Sequence, residues 1–306
     1  MNLFHKKDQY QGYNIYSMKK YVDKKRIIFT TIIVILIIIT LGFIIYYSVD
    51  TTIRLKSAKR FEQKLIEYES KQEELQKQER ERQAKIPKLT DEGKQNIKGI
   101  YKSETKRVFL TFDDGPSVNT ADVLDILKSN DIKATFFVLG TQVEKMPEMV
   151  KRAYQEGHYI ANHGYSHQYS QIYSSPETVL QEFNQCNSAV AKAIDVPEYN
   201  SHLFRFPGGS VGGKYANLKA EAVTLLEQNN IMHVDWNALT GDAEKSSPDE
   251  EYLMNNLQKT TQNKNSLVIL MHDAQAKRVT VEFLPKLIEF FQQQGYQFEN
   301  FYSIIK

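Results

Sequence analysis

The 306-residue chain has a single cysteine, Cys186. One thiol cannot close an intrachain disulfide, and it excludes a zinc site built on cysteine ligands. In its helical-looking surroundings it reads as a small buried hydrophobe. A charge bias is missing too. With 39 basic against 37 acidic residues the formal charge is +2, so no global field marks a nucleic-acid binder. Neither GxGxxG nor GxxxxGKS/T occurs and no repeat of fixed period is visible, which leaves a nucleotide cofactor without sequence support. What is present, at 41% apolar residues, is the composition of a globular protein with room for one large domain or two ordinary ones.

Charge is also absent from one long run, IIFTTIIVILIIITLGFIIYY at 27–47. About 20 such residues span a bilayer as a helix. Lys19, Lys20, Lys24, Lys25 and Arg26 precede the run and Asp50 follows it. Positive residues stay inside, so 1–26 is expected as a cytoplasmic tail, 27–47 as a transmembrane helix, and the rest outside the cell. The run exceeds an ordinary signal-peptide core, and Tyr46-Tyr47-Ser48-Val49-Asp50 offers no small-x-small cleavage site, so a retained anchor is expected.

Residues 48–98 read as a helical stalk and linker. KQEELQKQERERQAK favours helix, and glycine is absent until Gly93. Ala58, Phe61, Leu65, Tyr68, Gln72 and Leu75 follow alternating steps of three and four. That pattern suits a stalk-mediated homodimer and equally a solvated single spacer. Pro87 and LTDEGKQN then lead into a folded domain expected over 99–306.

Within that domain short β-rich runs alternate with amphipathic ones. RVFLTF, ATFFVLG, HYIAN, HLFRF, IMHVDW and SLVILM are each followed by a helical pattern, and YQFENF closes the series. Such alternation predicts an α/β fold with a parallel sheet, closed or partly closed as a (β/α) barrel, whose functional residues lie where strands end. Those ends are unusually polar: Asp113-Asp114, then His163 and His167, then Arg205, then Asp235 and Asp242, then His272-Asp273. Taken singly each has a bland reading. DDG is a turn, HxxxH a pair of loop histidines, Arg205 a salt-bridge residue, His272 a satisfied rim histidine. Taken jointly, two imidazoles and a carboxylate from another strand make a ligand set for zinc, cobalt, nickel or ferrous iron.

TFDDGP, GHYIANHGYSH, FRFPGGS, WNALTGD and ILMHD, in that order, resemble the motifs of the NodB-type polysaccharide deacetylases, carbohydrate esterase family 4. With the anchor, the chain looks most like the peptidoglycan N-acetylglucosamine deacetylases of Gram-positive bacteria. The resemblance implies a distorted (β/α) barrel, a divalent metal, expected as zinc, on Asp114, His163 and His167, and Asp113 as general base. It implies Arg205 pairing with Asp113, backbone N–H groups near Pro207-Gly208 facing the oxyanion, and His272 as general acid. Asp242 is the expected partner of His272, with Asp235 as the second candidate. The implied substrate is acetylated cell-wall glycan.

Three positions depart from the family pattern. Gly164 replaces the hydroxyl residue after the first metal histidine, Ala243 stands where a tryptophan is common, and Gly208 stands where many relatives carry an aromatic. The first is expected to cost the loop a shape-holding hydroxyl, and the other two to open the sugar groove. Alternatives are an O-acetyl polysaccharide esterase, a chitooligosaccharide or poly-N-acetylglucosamine deacetylase, an iron oxygenase, and an inactive anchored glycan-binding barrel. The oxygenase has no use for Asp113 or His272, and the intact constellation speaks against the inactive barrel.

Overall fold

The computed structural model describes residues 15–305, with side chains from residue 23 onward. Residues 1–14 of the expected cytoplasmic tail lie outside the described residues. The chain divides into two units, Met1–Gln78 and Glu79–Lys306.

The first unit is helical throughout its described residues, within α1 (Ile15–Ala84). Its stretch at 27–47 is long and apolar enough to cross a membrane, and every side chain from 23 to 49 is exposed. Exposed apolar surface on that scale needs a covering that the described residues do not supply. The heptad positions Phe61, Leu65, Tyr68 and Leu75 are exposed as well.

The second unit reaches back to Glu79, ahead of the domain start expected at 99. The reason is apolar burial: Ile86, Leu89, Ile97 and Ile100 all sit in the core. A short helix, α2 (Asp91–Lys98), carries Ile97 there, capped by Thr90 accepting from Gly93 N–H. Strands and helices then alternate as β1 (Arg107–Asp113), α3 (Thr120–Ser129), β2 (Thr135–Val138), α4 (Gly140–Lys145), α5 (Pro147–Gln155), β3 (Tyr159–Asn162), α6 (Tyr169–Ile172), α7 (Pro176–Ile194) and β4 (Leu203–Phe204). They continue as α8 (Ala216–Gln228), β5 (Met232–His233), β6 (Ala238–Leu239), α9 (Glu250–Thr261), β7 (Ser266–His272), α10 (Arg278–Gln293) and β8 (Gln297–Glu299).

All strand pairs are parallel, in the order β5-β4-β3-β2-β1-β7-β6, with β8 added beside the start of β1. β1 is central and buried from Val108 to Asp113, which is why it reads as an unbroken VFLTF run rather than an alternation. Each such Phe or Leu contributes on the order of 2 kcal/mol by leaving water.

The sheet path is open between β5 and β6. IMHVDW, expected as one strand, instead pairs at Met232–His233 with β4, and the chain then pairs at Ala238–Leu239 with β7. Residues 234–237 therefore run across the opening, and their backbone groups need other partners. Arg205 supplies two: Nε donates to the Val234 carbonyl at 3.2 Å and Nη2 to the Asp235 carbonyl at 3.0 Å. Asn237 supplies more, its Oδ1 accepting from Val268 N–H at 2.8 Å and its N–H donating to the Val268 carbonyl at 3.2 Å. The barrel is thus distorted at one seam, and a buried guanidinium fills it.

Candidate active site

Strand register brings the polar ends together. Asp113 of β1 pairs with His272 of β7, Val138 of β2 with Asn162 of β3, and Asn162 with Phe204 of β4. With every strand parallel, Asp114, His163 and Arg205 all leave the sheet on the same side, the carboxyl end of the strands.

The backbone there is tightly turned. Asp114 has φ +71° and His167 φ +58°, left-handed values that cost a non-glycine residue about 1–2 kcal/mol. The result is a convergent trio. Asp114 Oδ1 lies 3.6 Å from His163 Nε2 and 3.4 Å from His167 Nε2. Donors of a tetrahedral zinc site, with bonds of about 2.0–2.2 Å, are spaced by roughly that distance. Asp114 Oδ1 is also buried with no hydrogen-bond partner among the described residues, a costly state that a cation in the gap relieves. The trio therefore fits a divalent metal, and its N and O donors suit zinc, cobalt or nickel.

His163 is prepared for that use. Its Nδ1–H donates to the Arg205 carbonyl at 2.8 Å, which turns Nε2 toward the gap. Burial pushes its pKa down to about 3 against the opposing charge of Asp114, so the ring is neutral, as a ligand must be.

The loop from His163 to His167 is held by Glu182, buried on α7. Its carboxylate oxygen Oε2 accepts from the Tyr165 N–H at 2.6 Å and the Ser166 N–H at 2.7 Å, while Oε1 accepts from Ser166 Oγ at 2.7 Å. Asn162 Oδ1 takes the Gly164 N–H at 2.9 Å. Gly164 sits at φ +89°, with Ile172 Cδ1 3.0 Å from where a Cβ would stand. The expected loss of a shape-holding hydroxyl is thus met by Glu182, Asn162 and Ser166, and glycine is what the local backbone admits.

Asp113 and Arg205 lie beneath the trio. Arg205 Nη1 donates to Asp113 Oδ1 at 2.8 Å and to Thr111 Oγ1 at 2.7 Å, while Thr111 donates in turn to the Ile269 carbonyl at 2.6 Å. The guanidinium also stacks over Phe137, 3.9 Å from the ring centroid. Burial raises the pKa of Asp113, and the charges of Arg205 and His272 hold that rise back. The product is a carboxylate more basic than an exposed one.

On the neighbouring strand β7, His272 Nδ1 is 2.9 Å from Asp242 Oδ1, and the carboxylate as acceptor assigns the proton to Nδ1. Asp242 is fixed by the His272 N–H at 2.8 Å and Thr280 Oγ1 at 2.7 Å, both on Oδ2. Burial would lower the pKa of His272, but its hydrogen bond to Asp242 and that carboxylate's charge outweigh it and raise the value. Asp235, the second candidate for this partnership, instead accepts from the Ser210 N–H at 2.9 Å.

Of the seven expected site residues, six line one cavity of about 300 Å³, and Arg205 supports it from below. Tyr169, Gly208, Trp236, Leu239, Ala243 and Leu270 are among the other residues that line it. A larger groove of about 630 Å³, lined from α4, α7 and Tyr165, contains none of the seven. Glu182, Thr111, Thr280 and Tyr169 also support or line the site, though none is among the polar strand ends. Glu182 had a visible signal, a carboxylate on the same helical face as Val179, Phe183 and Cys186, all buried. Thr111, Thr280 and Tyr169 had none, because their roles depend on side chains distant in the chain.

A family model described as polysaccharide deacetylase matches residues 101–225. The chain is 36% identical over 196 residues to YheN of Bacillus subtilis, covering 63% of this chain and 66% of that one. It is 33% identical over 205 residues to a peptidoglycan-N-acetylglucosamine deacetylase of Bacillus cereus, covering 65% and 71%. Among solved structures, a Streptococcus mutans CE4 esterase superposes with a TM-score of 0.62 at 29% identity, covering 67% of this chain and 90% of that one. The chain belongs to the polysaccharide deacetylase family. It spans about two thirds of the length of the two curated relatives.

Proposed function

We propose that this protein is a metal-dependent hydrolase that removes acetyl groups from N-acetylglucosamine residues of cell-wall peptidoglycan. One observation carries the reading: a buried, arginine-paired carboxylate, Asp113, and a carboxylate-paired imidazole, His272, line the same cavity as the Asp114–His163–His167 trio. The name of the Bacillus cereus relative supports the choice of glycan.

Asp114, His163 and His167 hold the metal, which when bound supplies Lewis-acid polarisation of the acetamide carbonyl. Zinc is the proposed ion. Asp113 takes the proton of the attacking water as its oxygen adds to the carbonyl carbon. Arg205 keeps that carboxylate ionised and aimed. The Gly208 N–H, which has no acceptor among the described residues, donates to the carbonyl oxygen as it becomes an oxyanion. His272, protonated through its link to Asp242, gives its proton to the sugar nitrogen as the C–N bond breaks, leaving acetate and a free amine.

The same reading places the span 27–47 in the cell membrane, with the N-terminus cytoplasmic and residues 79–306 outside. Protease added to intact cells would then remove the second unit, and its complete protection would overturn that orientation. For the activity, the full chain in detergent with added zinc is expected to release acetate from peptidoglycan. Chelation is expected to abolish release and zinc to restore it. Acetate no greater than from the Asp113→Asn variant on peptidoglycan and chitooligosaccharide would sink the reading, and release from acetylxylan alone would convert it to an O-acetyl esterase.

A further inference from the structure

Gly208 carries no side chain at a point where the cavity wall needs one. It stands at φ +73°, and a Cβ built on it would lie 2.6 Å from Tyr169 Oη. The phenol hydroxyl, entering from α6, thus occupies the volume where a side chain at 208 would begin. Both residues line the cavity beside Asp114, His163 and His167. The wall expected to be missing is therefore supplied from α6, which follows the loop that carries His163 and His167.

The ring of Tyr169 is held in place from two sides. It lies edge-on to Tyr173, with centroids 5.6 Å apart at 75°, and tilted against His167, with centroids 5.6 Å apart at 58°. Tyr173 is itself fixed, its hydroxyl donating to the Pro207 carbonyl at 2.7 Å. Yet the Tyr169 hydroxyl, like the Gly208 N–H, has no hydrogen-bond partner among the described residues. A positioned donor left free beside a second free donor, both facing a reaction cavity, is the arrangement that stabilises charge developing on an oxygen.

We propose that the Tyr169 hydroxyl is a second donor to the acetyl carbonyl oxygen, beside the Gly208 N–H. This rests on the deacetylase reading. No proton is transferred: the O–H bond stays intact and its hydrogen bond shortens as the carbonyl oxygen gains charge. Tyr169 touches the substrate and strengthens its contact in the transition state, so it acts on kcat more than on KM.

The test is steady-state acetate release from a chitooligosaccharide by the full chain in detergent, loaded with zinc, comparing wild type with Tyr169→Phe and Tyr169→Ala. Tyr169→Phe keeps the ring packing and removes only the donor. It is expected to lose kcat on the order of 10²-fold, with KM within about twofold, and with zinc content and unfolding temperature equal to wild type. Tyr169→Ala is expected to lose kcat as far and to raise KM as well. A Tyr169→Phe enzyme with wild-type kcat overturns the proposal and leaves the phenol as a wall. Loss of bound zinc in Tyr169→Phe overturns it too, because the effect would then run through the metal site. An inactive wild type fails the deacetylase reading itself, a result separable from an active wild type matched by its Phe variant.

Discussion

Arg205 Nη1 lies 2.8 Å from Asp113 Oδ1, and both side chains are shut away from solvent. The guanidinium has a second task in the same position, donating to the Val234 and Asp235 carbonyls where the sheet path is open. One side chain therefore serves both the open sheet edge and the buried carboxylate.

Replacing it separates those contributions. Arg205→Ala is expected to destabilise the folded unit by about 3–5 kcal/mol, since it strands the buried Asp113 charge and two carbonyls. Thermal unfolding reads this loss. In whatever enzyme folds, the charge that holds down the Asp113 pKa is gone, so the acid limb of the pH–rate profile moves to higher pH. An unmoved limb would contradict the pairing.

The pH profile of the wild type follows from the two directions. In the proposed mechanism Asp113 must be ionised to accept a proton; burial raises its pKa while the charges of Arg205, His272 and a bound cation lower it, so the acid limb is expected to move to higher pH when any of those charges is removed. His272 must be protonated to donate, and Asp242 raises its pKa, so activity falls only above the ordinary imidazole range. Asp242→Asn removes that support. It is expected to shift the alkaline limb to lower pH and to reduce kcat at neutral pH on the order of 10²-fold.

Glu182→Gln tests the support of the ligand loop. The amide replaces a charged acceptor serving two N–H groups and the Ser166 hydroxyl, at a cost of about 1–3 kcal/mol in stability. Zinc affinity is expected to fall about 10–100-fold, measured by competition with a chelator. Unchanged affinity would separate Glu182 from the metal site.

Gly164→Ala probes the same loop through its backbone. The added methyl meets Ile172 Cδ1 at 3.0 Å, and alanine strains at φ +89°. A loss of about 1–3 kcal/mol is expected from chemical denaturation, with weakened zinc binding. Serine there is expected to fare no better, because its hydroxyl does not relieve the positive φ.

The strand ends were legible because parallel strands print their buried residues as apolar runs and break off abruptly into polar ones, as FLTF does into Asp113 and Asp114. Residues held by distant partners were not. Nothing local distinguishes Thr280 from any helix threonine until it meets Asp242, and the splitting of IMHVDW between two sheet edges depends on which strands lie nearby.

By itself, then, the order of residues determined the alternation of strands and helices, the uncharged run at 27–47, and the set of groups able to hold a metal or move a proton, since each is a property of local pattern or side-chain chemistry. Only the tertiary structure decided how they are used. Register set Asp113 beside His272, positive φ at Asp114 and His167 turned donors toward one point, and Tyr169 came to stand where Gly208 has no side chain. These are distances between residues far apart in the chain, and such distances exist only once the sheet has paired and the core has packed.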